Sequence, residues 1–256
     1  MKAARPRRIH ARLDRIAGQL PKPLAHQVVR DHCESDEAFR RRRQVVTGVG
    51  LAGASLLGVS LSSPPGSTRF YLLTLGVAGT WLTGALRSGP VHLGWIETRD
   101  ETISRPVVVP VLTGVAAFGV FYAGAHVVRR IPVLNDAVAR IMQFADRGSS
   151  PLVLLTTCAN GMAEEVFFRG ALYSAVGANS PVLKSTAAYT AATLATRNPA
   201  LVLASSVMGT VFGLQRRASG GIQAPALTHL TWSVLMLRYL PPLFRQRAER
   251  RSRANP

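Results

Sequence analysis

Apolar residues along the chain gather into seven stretches, 44–63, 70–86, 106–128, 150–176, 182–196, 201–214 and 222–240. The first carries no charged residue, and about 20 apolar residues are what an α-helix needs to cross a bilayer core. Short connections rich in Gly, Pro and Arg separate the stretches, among them Pro64-Pro65-Gly66 and 216–221. Backbone in lipid must satisfy its own hydrogen bonds, so each spanning stretch is predicted to be helical. Small residues at close spacing suit tight helix packing: Gly50, Gly53 and Ala54 in the first stretch, Gly209 and Gly213 in the sixth. Between the third and fourth stretches, Leu134, Val138, Ile141 and Met142 recur at helical spacing, which predicts a helix over 133–144 lying on the membrane. The pattern is that of an all-α, polytopic transmembrane helical bundle of about six to eight helices.

Charge sharpens this picture. The 256 residues carry 31 Lys and Arg against 13 Asp and Glu, a net charge of +18, with 47% hydrophobic residues. That balance is too basic for an ordinary globular enzyme and too apolar for a disordered basic tail or a ribosomal-type protein. Twelve of the cations fall in residues 1–43, ending in Arg40-Arg41-Arg42-Arg43. This leading region is longer than that of a cleaved signal peptide, so 44–63 reads as an uncleaved signal-anchor. Within it, Ile9, Leu13, Ile16 and Leu20 alternate with Arg7, Arg8, Arg12 and Arg15 as an amphipathic helix suited to anionic headgroups. No folded nucleic-acid module accompanies the basic arm, so membrane lipids rather than nucleic acid are its expected partner. The C-terminal tail is also basic, and the positive-inside rule places both termini in the cytoplasm of a multi-pass plasma-membrane protein. That requires an even number of crossings, so either one short stretch does not span, the Thr-rich fifth and the sixth being the weakest candidates, or a further crossing is hidden. Cys33 and Cys158 form neither a disulfide framework nor a thiolate metal site.

Candidate chemistry comes from placing the acids. Only Glu164 and Glu165 sit within an apolar helix. A charge near mid-bilayer costs about 2.5–3.5 kcal/mol or more, so two adjacent ones need a partner or a task. Arg169 lies four residues beyond Glu165, within reach of an ion pair on one helical face. Glu164 points about 100° away round the helix, with Asn160 one turn before it. Either the pair fixes helix packing, or Glu164 faces a wet cavity as a general base. In the last stretch His229 and Ser233 share a helical face, and His229 suits a proton carrier, an oxyanion donor or a metal ligand.

The run Glu164-Glu165-Val-Phe-Phe-Arg169-Gly170 resembles the EExxxR motif of the CPBP intramembrane proteases, the Abi family, which includes type II CAAX prenyl endopeptidases and bacteriocin-processing or immunity proteins. His229 and Ser233 fall where that family carries His-x-x-x-Asn or Asp, and the resemblance covers 150–240. It implies Glu164 as the base that activates water, Glu165 with Arg169 as its supporting pair, and His229 as oxyanion donor or ligand. Two departures stand out. The family's middle Phe-x-x-x-His motif corresponds to Tyr189-Thr-Ala-Ala-Thr193, with Thr193 in place of His, and Ser233 replaces the final Asn or Asp. Glu164 and His229 alone leave a three-ligand zinc site incomplete. His126 could fill the gap, the site could work without metal, or the scaffold could have lost catalysis.

The chain therefore divides into a basic cytoplasmic arm with its amphipathic helix (1–43), transmembrane and interfacial helices (44–148), a catalytic core similar to the CPBP proteases (149–240) and a basic tail (241–256). The leading expectation is a bacterial intramembrane endopeptidase, a hydrolase of the (metallo)endopeptidase kind, cutting a peptide bond in a membrane-associated peptide or protein. Catalysis would fall to Glu164, Glu165, Arg169 and His229, supported by Asn160, Thr193 and Ser233. The alternative is a non-catalytic scaffold or immunity-type protein binding a membrane partner through the same groove. A proton-coupled transporter using the two acids and His229 would show repeated halves, and the sequence has no internal repeat.

Overall fold

The computed structural model describes residues 34–97, 103–177 and 179–244. The amphipathic helix expected around Ile9–Leu20 and nearly all of the basic C-terminal tail lie outside the described residues. Each of the seven apolar stretches forms helix. In chain order these are α1 (Asp36–Leu61), α2 (Thr68–Ser88), α3 (Val108–Val128), α4 (Pro132–Arg147), α5 (Ser150–Glu164), a π-helical segment (Glu165–Leu172), α6 (Tyr173–Ala175), α7 (Pro181–Leu194), α8 (Pro199–Ser219) and α9 (Gln223–Tyr239). The loop between α2 and α3 contains a short antiparallel pair, β1 (Ile96–Glu97) and β2 (Ile103–Ser104), which the hydropathy pattern does not reveal.

Local chemistry explains where the helices begin. Ser35 and Ser67 accept from the backbone N–H groups of Ala38 and Phe70, both at 3.2 Å. The Asn198 side chain accepts from Ala200 and Leu201 at 3.0 and 3.2 Å. Proline opens α4, α5, α7 and α8, where its missing N–H costs nothing.

Several polar and charged groups share the interior with an apolar core of Trp81, Phe167, Phe168 and Phe212, and many large apolar side chains are outside. Glu165, Arg169, Ser185, Thr228 and His229 are buried, whereas Leu51, Leu72, Leu112 and Leu203 are exposed. Exposed Thr83 and Thr210 donate to carbonyls one turn back, at 2.6 and 2.9 Å, so they need no water. The exposed leucines, valines and self-satisfied threonines suit hydrocarbon surroundings. Among the described residues, α1 and α3 are the helices long and apolar enough to cross a membrane by length and composition. The other helices carry the polar residues that the bundle buries, which lowers their mean hydropathy.

Contacts sort the helix ends into two sets. At one end, Phe39 of α1 approaches Gly177 beyond α6, and the Arg42 guanidinium lies against Gly89 beyond α2. The turn from α8 to α9 docks there on the α2–α3 loop: Trp95 donates to Ser219 at 2.8 Å, and Ile222 and Gln223 donate to His92 and Leu93, both at 2.9 Å. At the other end, Gly58 meets Ala195, Asn198 donates to Ala137 of α4 at 2.8 Å, and Leu240 and Phe244 pack beside Ala125. The described helices thus run seven times between the two ends, and α1 begins at the end opposite to where α9 finishes. Charge in the two tails predicts the same end for both, and residues 1–33 and 245–256 of those tails lie outside the described residues. Helix α4 is the element that does not traverse; its Phe144 ring lies 4.5 Å from that of Phe70.

Close approach dictates particular glycines. A Cβ on Gly53 would stand 2.5 Å from the Trp81 ring, so its absence lets α1 and α2 meet. A Cβ on Gly221 would overlap the Leu93 carbonyl group and Gly94 N. Gly221→Ala is expected to destabilise by about 1–3 kcal/mol, because backbone cannot yield as a side chain can. Gly79→Ala, where a Cβ meets nothing within 4 Å, is expected to be neutral or stabilising. Thermal unfolding of both variants in detergent checks the contrast.

Candidate active site

Every group at the centre comes from the middle of a helix. Glu164 ends α5, and Glu165 and Arg169 lie in the π segment, all eight residues of which are buried. A π turn is wider than an α turn and recurs at functional sites. Here it carries two adjacent acids towards different helices. The Glu165 Oε1 atom accepts from Arg169 at 3.2 Å and is 2.9 Å from His229 Nδ1 of α9. Glu164 Oε2 accepts from the Tyr189 hydroxyl of α7 at 2.7 Å.

Aromatic rings and backbone carbonyls complete the seat of Arg169. Its guanidinium carbon lies 4.5 Å from the Tyr189 ring centroid and 5.0 Å from that of Phe212, and NH2 donates to the Gly209 carbonyl at 3.3 Å. A Cβ on Gly209 would come within 3.3 Å of that nitrogen, which is why a glycine serves there. The Arg169 carbonyl accepts from Arg216 Nε at 2.7 Å, so α8 holds both the head and the backbone of this residue. His229 stacks on Phe212 at 4.8 Å with an interplanar angle of 21°. Below it, Gln215 donates to Thr228, which donates to the Pro110 carbonyl, at 2.7 and 2.8 Å, fixing α9 against α8 and α3.

The sequence candidates separate into two groups. Glu164, Glu165, Arg169 and His229 come together, but the hydrogen-bond partner of His229 is Glu165 rather than Glu164. Asn160 donates to the carbonyls of Thr74 and Thr156 at 3.0 and 2.9 Å, joining α5 to α2. Thr193 is buried and donates to the Tyr189 carbonyl of its own helix at 2.8 Å. Ser233 is buried one turn beyond His229. Tyr189 contacts Glu164, and the sequence reading passes over it. Its place four residues before Thr193, where the family motif carries an aromatic residue, is the signal that points to it.

The donor set does not fit a metal centre. His229 turns Nδ1 to Glu165, and the hydroxyl that replaces the motif imidazole is turned to its own backbone. His126 is exposed near the far end of α3, its ring 5.7 Å from that of Tyr122, so it does not replace the missing ligand. Among the described residues, no group of three or more His, Cys, Asp or Glu is placed to hold a metal ion.

The two carboxylates differ in what they can do. Glu165 is fully buried, and one of its oxygens faces two nitrogens that bear or can bear positive charge. Glu164 is only partly buried and accepts one hydroxyl hydrogen bond, which leaves it lone pairs for a water molecule. A carboxylate can only accept, so with Glu165 ionised His229 Nδ1 must carry a proton, and Nε2 is the atom left for other chemistry.

An α-helical membrane bundle with paired acids on one helix and an imidazole on another is the class that fold and site define. Residues 147–235 match the family model described as Type II CAAX prenyl endopeptidase Rce1-like. The matched segment runs from the last residue of α4 into α9, roughly a third of the chain, and over that segment the chain is similar to the CAAX prenyl endopeptidases. No curated protein and no solved structure matches the chain.

Arg169→Met is expected to destabilise the fold by about 3–5 kcal/mol, since it strips a buried carboxylate of its permanent cation. Adding Glu165→Gln to that variant removes the orphaned charge and is expected to restore part of the loss. A double-mutant cycle on unfolding in detergent checks both.

Proposed function

We propose that the chain is an intramembrane endopeptidase in which Glu164 activates water against a peptide bond of a membrane-associated substrate. The observation that carries this is the asymmetry of the acids: Glu165 is occupied by Arg169 and His229, while Glu164 has one partner, Tyr189, and is partly open. In the reaction Glu164 takes a proton from water, and the resulting hydroxide adds to the scissile carbonyl carbon. The carbon–nitrogen bond then breaks as Glu164 returns the proton to the leaving nitrogen. His229, held through Nδ1, presents Nε2; with that nitrogen protonated it donates to the oxyanion of the tetrahedral intermediate. In that form Glu164, Glu165, Arg169 and His229 carry no net charge, which suits an apolar surrounding.

Tyr189 positions Glu164. Its hydroxyl holds one carboxylate oxygen, so the other is directed to water. This arrangement gives α7 a role that does not require imidazole at Thr193.

One observation favours the scaffold reading instead. The Thr193 hydroxyl is turned to its own helix and offers nothing to the centre, so a binding protein could keep the charged triad for packing alone. Turnover separates the two. With purified full-length protein in lipid nanodiscs and quenched fluorescent membrane-anchored peptides, Glu164→Gln is expected to lower turnover by about 10²–10⁴-fold. Tyr189→Phe is expected to cost about tenfold, the worth of one hydrogen bond to a charged group, while leaving the thermal midpoint unchanged. Turnover unaffected by Glu164→Gln removes Glu164 from the mechanism, and no cleavage of any peptide by the wild type selects the scaffold.

A further inference from the structure

A cleft of about 820 Å3 lies between α1, the π segment with α6, and α7, on the far side of Phe168 from the charged centre. Helices α1 and α7 run side by side in the same direction, since Phe39 neighbours Gly177 just before α7 and Gly58 neighbours Ala195 just after it. Arg43, on the second turn of α1, and Lys184, on the first turn of α7, therefore stand at the same end of the cleft. Its floor consists of small side chains, among them Gly50, Ala54, Ala188 and Ala192, with Phe168 and Leu172 behind them. Among the described residues, no carboxylate lines it. The mouth is framed by exposed apolar residues such as Leu51, 69% accessible, so it opens to hydrocarbon rather than to water.

These features fit one occupant. A long narrow apolar trough suits an acyl chain, and two cations at its polar end suit a phosphate. The Lys184 ammonium has one protein hydrogen bond, a long one of 3.5 Å to the Val176 carbonyl, and Arg43 lies over Phe39 at 5.9 Å. Both charges are exposed and can turn to an anion. The exposed Arg40 and Arg41, on the second turn of α1 after Asp36 and Glu37, lie at the same end of the helix as Arg43. Basic residues at a membrane face attract anionic lipids. A zwitterionic headgroup would bring its own cation against Arg43 and Lys184, and an apolar peptide would leave both without a counter-charge.

We propose that this cleft is a binding site for an anionic phospholipid, with its phosphate held by Arg43 and Lys184 and one acyl chain laid along Gly50, Ala54, Ala188 and Ala192. The site is separate from the charged centre, and the inference does not depend on hydrolysis. Through Phe168, whose ring is 4.8 Å from that of Tyr189, the bound chain would abut the helix that holds Glu164.

Native mass spectrometry of the full chain, stripped of lipid and titrated with phosphatidylglycerol or phosphatidylcholine of matched chains, tests this. Phosphatidylglycerol is expected to bind about thirtyfold more tightly, the combined effect of two cations near an anionic headgroup. Arg43→Gln with Lys184→Gln should erase that preference. Arg69→Gln with Arg87→Gln, which removes two exposed charges elsewhere, should leave it intact. Ala191→Trp, at the cleft's exposed edge, should weaken binding of either lipid without altering charge. Equal binding of the two lipids, equal loss in both double variants, or displacement of phosphatidylglycerol by millimolar inorganic phosphate would overturn the proposal. Size-exclusion profiles report whether each variant is folded, and Ala191→Trp provides the second route if the charge variant fails.

Discussion

The contact between the Glu165 carboxylate and the Arg169 guanidinium governs the rest of the bundle. Both side chains have no solvent exposure, and burying two charges costs several kcal/mol per ion even after relaxation. The neighbouring helices meet part of the pair's remaining hydrogen-bonding capacity, while Glu165 Oε2 and Arg169 Nε have no partner among the described residues. Helix α8 supplies the Gly209 carbonyl and the Arg216 side chain, α7 supplies the Tyr189 ring, and α9 supplies His229. Three helices are held in register by one ion pair. Removing a participant leaves not a gap but an uncompensated charge, which is the costlier defect.

This constraint explains why polar contacts between helices accompany the apolar core. A bundle in lipid gains little from packing Leu against Leu, because the tails outside are equally apolar. Its specific interactions are close backbone approach, as at Gly53 against Trp81, and polar contacts between helices, as from Asn160 to Thr74. The helices that enclose the centre are consequently less apolar than α1 and α3, and they owe their place in the bundle to neighbours more than to hydropathy.

Much of this was legible in the sequence because the membrane makes errors expensive. Two acids within an apolar run announce themselves, and Arg169 at helical spacing identifies the partner of Glu165. The seven apolar stretches mark helices for the same reason. What stayed hidden depends on three-dimensional closeness. The π turn at Glu165–Leu172 has no signature in hydropathy, since eight residues buried on all sides read like any apolar segment. The docking of Gly221 on Leu93 joins segments more than a hundred residues apart, and a pair of adjacent glycines alone reads as a simple turn. The count inferred from tail charge concerns segments largely outside the described residues, and the described helices alone make seven passes between the two ends. The described helices follow packing, with Arg140 and Arg147 on α4 adding basic residues at the second end.

The difference between Glu164 and Glu165 is the least obvious product of the sequence, since the two are chemically identical and adjacent. Their environments separate them as soon as the helix turns. Glu165 faces the Arg169 guanidinium of its own helix and the His229 imidazole of α9. Glu164 faces a phenol, which donates one hydrogen bond and adds no charge, so its carboxylate keeps lone pairs and room for water. A histidine at Thr193 would place a second base on the same helix one turn away; a threonine folded onto its own backbone does not. The burden of directing Glu164 therefore rests on Tyr189, whose ring also covers the Arg169 guanidinium. One aromatic side chain thus couples the acid that is free to react with the ion pair that holds the helices, and motion of α7 would disturb both together.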